Sequence, residues 1–125
     1  RLNPQYADAY VNRGLAYKNK GNYDRAIADY TEAIRLNPQH ILAYNNRGNA
    51  YFNKGSYDRA IADYTEAIRL NPQYANAYNN RGLAYENKKE YDRAIADYDR
   101  ALQINPNYQL ARENRENALR KKRGR

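Results

Sequence analysis

Two kinds of polar side chain recur in this chain at spacings that could do chemistry, carboxylates and carboxamides. Asp24 and Asp29 return as Asp58 and Asp63, each set with an adjacent arginine, Arg25 or Arg59. Paired carboxylates can divide the work of general acid and general base. A pair repeated together with its arginine in successive segments reads instead as helix-end charge and ion pairing. His40 is the only histidine and stands where Tyr74 and Tyr108 stand in later segments, so packing is its expected role. The chain has no Cys, and no Ser-His-Asp or metal-spaced set. The expected catalytic, cofactor-binding and metal-binding residues are therefore none, and the chain reads as a binding protein, not an enzyme.

The carboxamides are the more suggestive set. Asn12, Asn46, Asn80 and Asn114 recur at one period, as do Asn19, Asn53 and Asn87. An amide side chain offers both donors and acceptors, so a ladder of them can hold the main chain of an extended peptide without reading its side chains. Bonding to neighbouring helix ends is the competing use of the same groups.

Both sets need a repeating framework, and the chain supplies one with a period of 34 residues. The string YDRAIADY occupies Tyr23 to Tyr30, Tyr57 to Tyr64 and Tyr91 to Tyr98. Asn-Arg-Gly recurs from Asn12, Asn46 and Asn80, and Asn-Pro from Asn37, Asn71 and Asn105. Three units follow, 7–40, 41–74 and 75–108. Residues 1–6 match the end of a unit and are expected to be the remnant of a truncated predecessor, while 109–125 are expected to form a solvating cap helix and a basic tail.

Apolar residues recur at three- and four-residue spacing, so each unit is expected to be two helices. Tyr10, Gly14 and Tyr17 make one stripe; Ala26, Ile27, Tyr30, Ala33 and Ile34 make the other. Gly21 and Asn22 break the pattern between them. Asn22 and Ser56 are expected N-caps, Asp24, Asp58 and Asp92 suit the first turn, and Pro38, Pro72 and Pro106 end the second helix. Gly14, Gly48 and Gly82 carry a helix penalty of about 1 kcal/mol that close approach to a second helix would explain. Lys89 replaces Gly21 and Gly55, so the third inter-helix turn must be strained or different. Arg13, Arg47, Arg81 and Arg115 are placed to lay their stems on Tyr rings. One hairpin cannot bury both stripes alone, so the units must stack around a shared core.

Tyr10, Gly14, Tyr17, Ala26, Tyr30, Ala33 and Pro38 fall in the order and spacing of the tetratricopeptide repeat, which the chain resembles over residues 1–108. The resemblance implies an all-α, right-handed solenoid of antiparallel helix hairpins whose first helices line a concave groove for a protein or peptide ligand, in a scaffold or adaptor role.

Comparison of the units narrows that groove. Units one and two differ at seven of 34 positions. Four of the seven, Asp8/Leu42, Val11/Asn45, Leu15/Asn49 and Lys18/Phe52, are spaced to share one face of the first helix, turned away from the Tyr-Gly-Tyr stripe. The third unit continues with Asn76, Asn79, Leu83 and Glu86. With the two amide series these are the expected groove residues. Phe52, the only Phe in the chain, is the expected anchor, paired with Leu42 and flanked by Val11, Leu15 and Leu83. Family members that grip a terminal carboxylate use asparagines with Lys and Arg. Here Asn49 and Asn80 are offered, but Asn45, Leu110 and Asn114 occupy the basic positions, so no such clamp is expected.

Net charge is +8, of which the last fifteen residues hold +5. Arg120 to Arg125 therefore reads as a solvated basic end, and nucleic acid is not the expected partner. Mean hydropathy is −1.21, and no apolar run approaches the roughly 20 residues that cross a bilayer. A soluble, cytoplasmic protein with no membrane partner is expected. End-to-end association of the first hairpin with another copy is a secondary expectation.

Overall fold

The computed structural model describes residues 4–124, with side chains from Tyr6 onward. It holds seven helices: α1 (Pro4–Asn19), α2 (Tyr23–Leu36), α3 (Ile41–Asn53), α4 (Tyr57–Leu70), α5 (Ala75–Asn87), α6 (Tyr91–Ile104) and α7 (Gln109–Arg123). No strand occurs among the described residues. α1 begins at Pro4, so residues 4–6 form its first turn, although in sequence they match the end of a unit; proline is tolerated there because its missing N–H would be unpaired anyway. Residues 1–3 of the matching fragment lie outside the described residues.

Each turn between paired helices is closed by one left-handed residue, Gly21 (φ +79°), Gly55 (φ +82°) or Lys89 (φ +64°). The third turn thus keeps the glycine geometry with a lysine in it. Asn22 caps α2 with a bond of 3.5 Å from the Arg25 N–H, whereas Ser56 makes no side-chain cap. His40 caps α3 instead, its Nδ1 accepting from the Ala43 N–H at 3.2 Å.

Within a hairpin the two helices meet where glycine allows it. A Cβ on Gly14, Gly48 or Gly82 would lie 2.6–2.7 Å from the ring of Tyr30, Tyr64 or Tyr98, each fully buried. The small residue therefore faces a large one, and the tyrosine ring sets the separation of the helices. Between hairpins, Ala43, Ala50, Ala77, Ala84, Ala111 and Ala118 on the first helices are completely buried, so the next unit seats itself through alanines.

Each helix packs on its neighbours in sequence. In addition the backbones of α1 and α3, of α3 and α5, and of α5 and α7 approach closely, while those of consecutive second helices do not. The stack therefore curves with its first helices on the inner side. This is an all-α helical solenoid, and α1, α3 and α5 form its concave wall.

Candidate binding groove

The inner wall exposes Asp8, Asn12, Asn19, Leu42, Asn53, Asn76 and Asn87, and half-exposes Leu15, Lys18, Asn46, Asn49, Phe52, Asn80 and Leu83. Leu42 is the most open apolar side chain on it, at 53% exposure. Asp8 accepts from His40 Nε2 at 2.7 Å, and the cap at Nδ1 leaves the ring proton on Nε2, so this contact ties α1 to the start of α3.

Four expected groove residues are not available to a ligand. Val11, Asn45, Asn79 and Glu86 are buried. A first helix has neighbours on three sides, its own second helix, the preceding second helix and the next first helix. Positions turned toward the next first helix are covered by it. Val11 joins the first core cluster with Ala43 and Ala50. Asn45 accepts from Asn80 Nδ2 at 3.2 Å, and Asn79 accepts from Asn114 Nδ2 at 3.1 Å. Glu86 accepts from the Tyr98 hydroxyl at 2.7 Å and pairs with Lys121 at 2.6 Å. In Asn80 and Asn114 the amide ladder therefore spans adjacent units as internal rungs, while Asn12 makes no such bond among the described residues.

The apolar pocket expected around Phe52 is not assembled either. Phe52 packs edge-to-face on Tyr57 (5.3 Å, 71°) beside the second cluster of Ala60, Tyr64 and Ala84. Leu15 packs against the first cluster and Leu83 against the third. Each belongs to a different unit, and Leu42, exposed on the wall, packs against none of the three clusters. An open cleft of about 380 Å³ lies elsewhere, at Tyr6, Ala9, Tyr10 and Arg13 on α1.

Polar groups beneath the wall are arranged by unit. Arg47 and Arg81 grip Asp63 and Asp97 through two bonds each, all at 2.8 Å, and Arg13 does the same to Asp29. Burial pushes the Asp63 and Asp97 carboxyls up against the opposing pull of these guanidiniums. Arg13, Arg47 and Arg81 also lie over Tyr10, Tyr44 and Tyr78 at 5.5–5.8 Å. Tyr64 donates its hydroxyl to Asn49 at 2.5 Å and Tyr98 to Glu86, whereas the Tyr30 hydroxyl is buried with no partner. Burial raises Tyr30 to about 12 and holds Tyr64 and Tyr98 well above the ordinary phenol value.

A set of inter-unit ties went unread in the sequence. Lys54 pairs with Asp24, Lys88 with Asp58 at 2.5 Å and Lys122 with Asp92 at 2.6 Å. Arg47 and Arg81 also donate to Thr31 and Thr65 at 3.1 Å, and Arg115 pairs with Asp99. Their signal was present as unchanging Lys and Asp at the 34-residue period. The basic end is therefore not simply solvated, since α7 is helical to Arg123 and both Lys121 and Lys122 are engaged.

Stacked hairpins with an open first-helix wall define a solenoid repeat protein of the protein–protein interaction class. The chain belongs to the tetratricopeptide repeat family, whose model matches residues 1–41, 11–74 and 45–109. Among solved structures it is similar to the first TPR domain of human RPAP3 (TM-score 0.95, 30% identity, 98% of this chain and 96% of that one). It is also similar to the first TPR of Spaghetti (RPAP3) bound to the HSP90 peptide SRMEEVD (0.92, 30%, 95% and 94%). A third is the second TPR domain of human RPAP3 in complex with the HSP70 peptide SGPTIEEVD (0.89, 29%, 93% and 98%). Among curated proteins, none matches the chain in sequence. No helix among the described residues is long and apolar enough to cross a membrane.

Proposed function

We propose that the chain is a protein–protein interaction module, three repeats at 7–40, 41–74 and 75–108, that holds a peptide or protein segment against α1, α3 and α5. Its role is that of a cytoplasmic scaffold or adaptor, not an enzyme. The observation that carries this reading is the inner wall itself. Leu42 is exposed beside the carboxamides Asn12, Asn46 and Asn76, in a fold whose relatives hold the peptides SRMEEVD and SGPTIEEVD.

The ligand differs from those acidic peptides. Asn45, Asn49, Asn80, Leu110 and Asn114 supply no cation where a carboxylate clamp needs one, and Asn45, Asn80 and Asn114 are spent in the inter-unit bonds. A neutral extended segment suits the wall better. Its main chain meets the amides of Asn12, Asn46 and Asn76, and one apolar side chain rests on Leu42.

The test uses a peptide selected from a random library against the whole chain. Leu42→Ala with Asn46→Ala is expected to weaken its binding about fivefold or more, with stability within about 0.5 kcal/mol of wild type. Unchanged affinity overturns the groove reading. Salt-sensitive binding of SRMEEVD itself, at least as tight as that of the selected peptide, overturns the neutral-segment reading.

A further inference from the structure

The second residues of α3, α5 and α7 are Leu42, Asn76 and Leu110, and Asp8 holds the same place in the 34-residue period on α1. All four are exposed. Leu42 and Leu110 are 53% and 52% exposed, and Tyr6 is the only other large apolar side chain so open among the described residues. α3 and α5 each have a first helix on either side, yet Leu42 and Asn76 remain open there, so a neighbouring first helix does not cover this position. The row continues onto α7, whose backbone approaches α5 as that of α5 approaches α3.

This row crosses the helices, so its spacing is the spacing between them. Packed helices lie about 8–10 Å apart, and Cα atoms of successive first helices come within 8 Å of one another. Leu42 and Leu110 are two steps apart, about 16–20 Å. Six residues of extended chain cover about 20 Å as a β-strand and about 19 Å as polyproline II. Six is also a multiple of both side-chain periods, two in the strand and three in polyproline II, so side chains six apart face the same way in either conformation. Separations of five or seven fail both periods. Of the four side chains in the row only Asp8 is charged. It accepts from His40 Nε2 at 2.7 Å and is still 74% exposed, which leaves its carboxylate open to a cation. Polyproline II advances about 9 Å in three residues, one helix step, and so brings every third side chain to the next first helix.

We infer that the segment held on this wall carries two apolar side chains six residues apart, seated on Leu42 and Leu110, with a hydrogen-bonding residue midway at Asn76 and a basic residue at Asp8, three positions outward from the one on Leu42. The inference rests on the groove reading above and narrows it. The ligand is about ten residues long, uncharged across α3 and α5, and positive only at the α1 end.

Fluorescence anisotropy on the full chain at low salt tests this, with the peptide KPSLPSQPSL and its reversed sequence as labelled probes, since either chain direction satisfies the spacing. The tighter of the two is expected to lose about fivefold or more in affinity when one residue is removed or added between its leucines. Leu110→Ala, a change on an exposed site, is expected to weaken the parent peptide about fivefold and to erase the preference for spacing. Asp8→Lys is expected to weaken it as well, and replacing the peptide's lysine by glutamate to restore binding to that variant. Affinity indifferent to spacing or to Leu110→Ala overturns the proposal, as does no binding up to about 1 mM. A charge swap that restores nothing overturns the assignment of Asp8. Should the library-selected peptide still respond to Leu42→Ala with Asn46→Ala, the groove reading survives these failures; if it does not respond, both fall.

Discussion

Tyr30, Tyr64 and Tyr98 occupy equivalent places, and their hydroxyls meet three different fates. Removing a buried polar group that has no partner costs nothing, whereas removing one that satisfies a buried carboxylate does. Tyr30→Phe is therefore expected to be neutral or stabilising, and Tyr98→Phe to cost about 1–2 kcal/mol in denaturant unfolding, because Glu86 loses a donor. The same three rings govern alkaline stability. Below the ordinary phenol value all are protonated in both the folded and the unfolded chain, and their contribution is complete. As pH rises past about 10 the unfolded chain ionises first. Stability then falls, and the Tyr30 share is gone as pH passes its folded value of about 12. Ultraviolet titration is expected to show three tyrosines ionising only with unfolding. Tyr burial at this position was legible in the YDRAIADY string; the fate of each hydroxyl was not, because it depends on what another helix happens to carry at Asn49 or Glu86.

Helix pairing is controlled by the glycine against each of these rings. Gly48→Ala places a methyl 2.7 Å from the buried Tyr64 ring, and since that ring has nowhere to retreat, a loss of about 1–3 kcal/mol in thermal or urea unfolding is expected. The turn of the third hairpin offers the reverse. Lys89 holds φ +64°, a conformation glycine adopts without penalty, so Lys89→Gly is expected to gain about 1 kcal/mol, or about 4 °C in Tm. Helix existence, hairpin turns and the strain at Lys89 were all legible, because 3.6-residue periodicity and glycine placement are local signals. The bonds between units were not. A two-faced helical wheel assigns every non-stripe residue to solvent, and so it placed Val11, Asn45, Asn79 and Glu86 in the groove when a third neighbour covers them. The Lys-to-Asp ties of Lys54, Lys88 and Lys122 were missed for a related reason, since residues that never change look uninformative when only differences are followed.

At the scale of the whole molecule, the curvature follows from which helices touch. The backbones of first helices approach their successors closely and those of second helices do not, so one wall is drawn inward and keeps Leu42, Asn12 and Asn76 exposed and Asn46 half-exposed. Seating by alanine and by fixed ion pairs leaves this wall free to vary, which is where units one and two differ at Asp8/Leu42 and Leu15/Asn49. The variation falls both on the open wall and at the buried joints between units. The most direct measurement is a backbone amide map of the chain titrated with a library-selected peptide. Perturbations are expected to run along α1, α3 and α5 through Asn12, Leu42, Asn46 and Asn76. A map confined to the second helices, or to Tyr6, Ala9, Tyr10 and Arg13, would contradict the assignment of the concave wall as the binding surface.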